Sequence, residues 1–181
     1  LAFGEGCEAP KPPEPPSPPK PAPPPHRLER DVVLTVNGVA YPVSIDTGRN
    51  LLSVLRTEIG LTGTKEGCDD CECGACMVLL DGQPVNSCSY LAAMAHGRQI
   101  TTVEGVTTAD GLSPLQRNLL EVGGVQCGFC TPGMIMSATA LLARTPHPSD
   151  EEIRIGLSGN LCRCTGYDKI IEAVRRTATD A

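Results

Sequence analysis

Tryptophan is absent from this 181-residue chain, and Phe3, Phe129, Tyr41, Tyr90 and Tyr167 are its only aromatic residues. Val, Leu, Ile and Ala must therefore pack the core, and there is no supply of ring faces on which nucleic-acid bases stack. Positive charge is short as well: 15 Lys and Arg stand against 21 Asp and Glu, a net charge of -6. Phosphate backbones favour the opposite balance. No run approaches the roughly 18 apolar residues of a membrane span. The histidines, His26, His96 and His147, are far apart in unlike contexts and are expected to be ordinary surface or loop residues. No Ser-His-Asp candidate, phosphate-cradling loop or dinucleotide fingerprint occurs, so no catalytic residue is assigned. A chain of this length accommodates one or two small domains without a large catalytic cavity of its own.

Cysteine, by contrast, is abundant, and eight of the ten fall into two complete four-ligand sets. The first, Cys68, Cys73, Cys76 and Cys88, reads C-x4-C-x2-C followed by a lone cysteine in "VNSC". That is the plant-type ferredoxin arrangement for a 2Fe-2S cluster. Zinc ribbons favour two C-x2-C knuckles, and this set has one ligand pair at that spacing. The second set, Cys127, Cys130, Cys162 and Cys164, reads C-x2-C, a gap, then C-x-C, a spacing that suits zinc as well as iron-sulfur. Taken together, the two sets favour adjacent redox centres, because two such centres in one small chain make an electron relay. Disulfides are the minor alternative, since Cys73 with Cys76 and Cys162 with Cys164 are crowded into turns that suit thiolates converging on shared ions. Haem attachment fails, because Cys130 is followed by Thr131 and Cys76 by Met77 rather than by His.

The glycines in "EGCDDCECGAC" suit a loop that points several N–H groups at the sulfurs of an anionic cluster. Cys71 is a surplus thiol in this loop and is expected to be a non-ligand. Glu66, Asp69, Asp70 and Glu72 stand there against Lys65 alone. Solvated acidic surface is the commoner meaning of such a run, and a docking patch for a basic redox partner the sharper one.

Residues 10–25 contain eleven prolines, which predicts a polyproline-II tether or a plain disordered tail over residues 1–30. Extended, it would reach roughly 50 Å at about 3.1 Å per residue. Cys7 lies in it and has no assigned role. From Asp31 the pattern turns globular: a hairpin through Asn37-Gly38, a helix over "NLLSVLRTEIG", a strand and an Asp81-Gly82 turn in "MVLLDGQPV", and a strand near residue 100. Beyond Thr108 the period becomes helical, with four short helices in "SPLQRNLLEVGG", "TPGMIMSATALLAR", "SDEEIRIGLSG" and "YDKIIEAVRRTA". Pro132 suits a first helical turn, and Ser149 with Glu152 a capping box. The cysteine pairs are expected at helix termini, and Met134, Met136 and Phe129 in the core or at a subunit interface. The expected fold is α+β, with an α+β domain over 31–107 and a helical domain over 108–181.

"GTKEGCDDCECGAC", "VNSC", "QCGFCTPGM" and "GNLCRCTGY", in that order, resemble the small iron-sulfur subunit of the molybdenum hydroxylases, the xanthine dehydrogenase and aldehyde oxidoreductase family. The likeness runs from about residue 31 to 178. It implies a β-grasp ferredoxin-like domain followed by a four-helix domain, each with one 2Fe-2S cluster. It also implies a large partner subunit carrying molybdopterin and the catalytic residues, and commonly a medium partner carrying FAD. Substrate, an aldehyde, purine or N-heterocycle, is hydroxylated at molybdenum, and electrons leave singly through the clusters. By the same resemblance Cys127, Cys130, Cys162 and Cys164 hold the cluster nearer molybdenum, and Cys68, Cys73, Cys76 and Cys88 the one nearer the acceptor. Gln126 matches a pterin-contacting position, and Cys164 the ligand whose cluster abuts the pterin. Cys71 departs from the family pattern, which has a non-cysteine residue there, and the Pro-rich extension leaves the acceptor open between NAD and a cytochrome. The cytoplasm is the expected compartment, or the periplasm if an export signal preceded Leu1. A free-standing ferredoxin-like carrier and a zinc-stapled interaction module are the competing functions. The first would be a stable monomer, and the second would be colourless.

Overall fold

The computed structural model describes residues 28–109 and 111–179; the Pro-rich stretch, Cys7 and His26 lie outside them. Strands β1 (Glu29–Val36) and β2 (Val39–Asp46) form the antiparallel hairpin expected from Asn37-Gly38. Both turn residues have left-handed φ, 52° and 79°, which matches the right-handed twist of the flanking strands. Alternation along β1 places Val32, Leu34 and Val36 on the core side. Pro42, which has no N–H to give a ladder, lies on edge strand β2 opposite Val33.

Helix α1 (Leu51–Thr57) is capped by Asn50, whose side chain accepts the Ser53 N–H at 2.8 Å. Four of its residues, Leu51, Leu52, Val54 and Leu55, are buried against the sheet side. Strands β3 (Met77–Leu80) and β4 (Gln83–Asn86) form a second hairpin through Asp81-Gly82, and β5 (Gln99–Thr101) pairs with β3 and, in parallel, with β1. The order β2-β1-β5-β3-β4 with α1 packed on one face is the β-grasp arrangement. Beyond β5 the chain becomes a 3-10 turn over Val103–Val106 rather than continuing as strand. Glu104 in that turn accepts the Gly63 N–H at 2.8 Å, which anchors the start of the first cysteine loop.

Four helices follow: α2 (Pro114–Glu121), α3 (Thr131–Arg144), α4 (Asp150–Gly156) and α5 (Asp168–Thr179). Capping boxes start α2, through Ser113 and Gln116, and α4, through Ser149 and Glu152. Pro132 lies in the first turn of α3, where its missing N–H costs no helical bond. Leu115, Leu119, Met134, Ile153, Ile170 and Val174 belong to one core among the helices.

The sheet and the helices meet through α3. Side chains alternate along β3, so Val78 and Leu80 enter the core under α1 while Leu79 faces the other way and packs with Met136 and Ala140 of α3. This two-sided burial explains the unbroken apolar run in β3. Met134 and Met136 are core residues, as expected, whereas Phe129 is 46% exposed.

Candidate metal centres

The first cysteine loop runs from Gly63 to Cys76 and reaches β3 directly. Asp69, Cys71 and Gly74 have left-handed φ values of 52°, 61° and 65°. Interleaving such residues turns peptide N–H groups to the inside of the loop. The N–H groups of Asp70 and Cys73 accordingly each donate to Cys68 Sγ at 3.4 Å. The Cys73 and Asp70 N–H groups bring the Cys68 thiol down to about 7.

The four thiols of this set form two pairs of opposite character. Exposed Cys68 takes the backbone N–H of half-buried Cys73 and neighbours its thiol. Cys76 and Cys88 pair inside, 2% and 8% exposed and packed against Leu52. Burial pushes the Cys88 thiol up to about 12. Ser87, beside Cys88, ties the two segments together, its hydroxyl donating to the Cys76 carbonyl at 2.7 Å. A Cβ at Gly67 would lie 2.8 Å from Cys73 Sγ, so glycine is required for the loop to close over its sulfurs. Cys71 is exposed, and its backbone makes its hydrogen bonds, the N–H to the Cys88 sulfur and the carbonyl to Asn86 Nδ2 at 2.9 Å, while its thiol is near enough to act on Cys88 electrostatically.

The second set joins the turn before α3 to the loop between α4 and α5. Cys130 is the N-cap residue of α3, as expected for a cysteine at a helix terminus. Cys162 and Cys164 instead lie in the loop, before the start of α5 at Asp168. Left-handed Gly166 and Tyr167, both with φ of 73°, turn this loop back, and the Tyr167 hydroxyl accepts the Cys162 N–H at 3.0 Å. These four thiols also pair. Cys127 Sγ and Cys164 Sγ are 3.5 Å apart on the surface, and half-buried Cys130 has the Cys162 thiol as its neighbour.

Burial pushes the Cys130 thiol up to about 12. Burial opposes ionisation of Cys162 too, but the Thr165 hydroxyl at 3.1 Å and N–H at 3.5 Å bring it down to about 7. The Phe129 N–H, then the Cys164 thiol, lower Cys127. Exposed Gln126 donates through Nε2 to the Cys164 carbonyl at 3.4 Å, so the two residues form one surface patch.

Both sites fit a two-iron cluster in their all-thiol donors and inward N–H groups, and in the first a glycine stands where a side chain would strike a sulfur. Among the described residues, no three His, Cys, Asp or Glu side chains gather closely enough to hold a single ion.

The remaining histidines make backbone contacts. His96 Nδ1 accepts the Val33 N–H at 2.9 Å, and His147 Nδ1 lies 2.9 Å from the Ala178 carbonyl. Glu66, Asp69, Asp70 and Glu72 are all exposed. Sequence spacing carried no signal for Ser87, Asn160, Thr165 or Tyr167. Each acts by contact across the fold or within a loop.

Comparison with known proteins agrees with this geometry. A family model described as a 2Fe-2S iron-sulfur cluster binding domain matches residues 34–109, and one described as a 2Fe-2S binding domain matches residues 102–175. The nicotinate dehydrogenase small FeS subunit of Eubacterium barkeri is 52% identical over 78% of this chain and 90% of its own length. The xanthine dehydrogenase iron-sulfur-binding subunit of Escherichia coli O157:H7 is 49% identical over 77% of this chain and 89% of its own. The solved aldehyde oxidoreductase of Desulfovibrio gigas superposes with a TM-score of 0.79 at 44% identity, over 83% of this chain but 17% of that longer one. With matches along both cysteine-bearing halves, the chain belongs to the small 2Fe-2S iron-sulfur subunits of the molybdenum hydroxylases, the xanthine dehydrogenase and aldehyde oxidoreductase family.

Proposed function

We propose that the chain holds two 2Fe-2S clusters and relays electrons within a multisubunit molybdenum hydroxylase, from a molybdopterin site on a large partner to FAD on a medium partner or to another acceptor. Its units are residues 31–107 and 108–181. Cys68, Cys73, Cys76 and Cys88 hold one cluster, and Cys127, Cys130, Cys162 and Cys164 the other. Each supplies reversible one-electron storage, and the chain supplies position, hydrogen bonds and shielding. The observation that carries this reading is the gathering of four thiols in each set, with backbone N–H groups aimed at their sulfurs.

The exposed Gln126 and Cys164 form the face turned to the pterin of the large partner. The acidic first loop, with Cys68 exposed on it, faces the acceptor. The substrate is an aldehyde, purine or N-heterocycle and is chosen on the partner: relatives named for nicotinate, xanthine and aldehydes are all 44 to 52% identical to this chain. Ligation needs reduced thiols, which suits assembly in the cytoplasm.

Low-temperature EPR of the dithionite-reduced protein, with iron and zinc measured on the same sample, tests the reading. The expected result is two distinct spin-half signals and about four irons per chain. One signal with zinc present would reduce it to a ferredoxin domain beside a structural bundle, and zinc without any signal would overturn it.

A further inference from the structure

Asn160 stands where the two cysteine loops meet. It is 2% exposed, and its Nδ2 donates to the Gly74 carbonyl at 3.1 Å. The next residue, Leu161, donates its N–H to the Cys73 carbonyl at 2.9 Å. Every member of this seam is thus a cysteine of one of the two sets or lies within two residues of one: Cys73 precedes Gly74, and Cys162 follows Leu161.

The backbones around it are as close as glycine permits. A Cβ on Gly74 would lie 2.3 Å from the Gly159 carbonyl and 2.5 Å from Asn160 Nδ2, and one on Gly133 would lie 2.1 Å from the Gly74 carbonyl. Asn160 Oδ1 is buried without a hydrogen-bond partner. A buried amide with one unpaired oxygen is a poor choice for stability, since an apolar residue of the same shape carries no such cost. Placement of the Gly74 carbonyl accounts for it instead.

We propose that Asn160 is a positioning residue for electron exchange between the two cysteine-held sites. Its amide clamps Gly74 and so keeps the Cys73 carbonyl on the Leu161 N–H, leaving one hydrogen bond and one peptide unit between a ligand of the first set and a ligand of the second. One electron crosses this connection, oxidising the donor site and reducing the acceptor site by one, and no atom or proton moves with it. The proposal rests on the two-cluster reading above.

The test uses the full holoprotein with Asn160→Leu, which keeps the volume, and Asn160→Asp, which replaces the donor by an acceptor facing a carbonyl. Ser158→Ala is the control, because Ser158 lines the same cavity of about 310 Å³ as Asn160 but bonds only the Ile155 carbonyl. Iron content, the EPR signals, the magnetic interaction between the two reduced centres and amide hydrogen exchange are measured together. Both Asn160 variants are expected to keep their iron and both signals and to show a weakened magnetic interaction. Exchange at the Leu161 amide should rise about tenfold or more, the loss of roughly one hydrogen bond, while amides inside α3 and α5 stay protected and the control changes nothing. Unchanged Leu161 protection and magnetic interaction in both variants would overturn the clamp, as would a uniform rise in exchange through all the helices. If the unmodified protein shows a single signal, the two-cluster reading has failed and electron exchange between sites with it; the Leu161 exchange then reports a loop contact alone.

Discussion

Cys71 has an exposed thiol, and its hydrogen bonds within the loop are made by its backbone. Its left-handed φ of 61° and its carbonyl bond to Asn86 shape the loop, and neither needs sulfur. Cys71→Ser is therefore expected to leave both EPR signals in place. Cys73→Ser should abolish one signal and spare the other, because Cys73 belongs to a thiol pair. Loss of the first signal in Cys71→Ser would instead make Cys71 the ligand. Residue identity made the eight candidate ligands legible from spacing. The contributions of Thr165, Tyr167 and Asn160 were not, because a hydrogen bond closed by the folding of a loop leaves no periodic mark on the chain.

Turns and caps were legible for a local reason: Asn37-Gly38, Asp81-Gly82 and the Ser149–Glu152 box act over two to four residues. Asp81 does more than turn the β3–β4 hairpin. Its Oδ1 accepts the Gln99 N–H at 2.8 Å and its Oδ2 the Arg98 Nε–H at 2.7 Å, so the Gln99 N–H, then Arg98, hold its carboxyl below the usual carboxylate range. A carboxyl lowered on folding contributes stability above its unfolded value and loses it as pH falls through the lowered folded value. Asp81→Asn should consequently lower the melting temperature at neutral pH, with the gap to the unmodified protein closing in acid. A gap independent of pH would remove the carboxylate charge from the explanation. In α4, Ser149→Ala should cost about 1 kcal/mol by leaving the Glu152 N–H, now 3.3 Å from Ser149 Oγ, without its acceptor. A denaturant midpoint unchanged by that substitution would show the cap to be dispensable. The strand expected near residue 100 ends at Thr101, because Asn37 receives the Thr102 N–H at 2.9 Å and starts the turn that follows. That contact spans 65 positions and is invisible to local periodicity.

At the scale of the whole molecule, the thiols stand at the margins of the packing, with Cys130 and Cys162 packed against the helical core. The core under α1 and the core among the helices are built from apolar residues other than cysteine, and among the described cysteines only Cys76 and Cys88 are buried. Removal of iron by a chelator under reducing conditions is therefore expected to leave far-UV circular dichroism nearly intact while the loops at 63–76 and 157–167 become sensitive to proteolysis. Collapse of the helical signal on iron removal would show that ligation holds the fold itself. The joint between sheet and helices depends on Leu79 meeting Met136 and Ala140. The run in β3 revealed a strand but not that its second face had a partner. The sequence alone determined the α+β composition, the order of elements and the eight sulfur ligands proposed here, because turn chemistry, helical period and ligand spacing are written over short stretches. Tertiary structure alone decided which thiols are withdrawn from solvent and that Cys73 and Leu161 touch. Those depend on segments up to 88 positions apart being brought together by the two cores, and no local pattern encodes that approach.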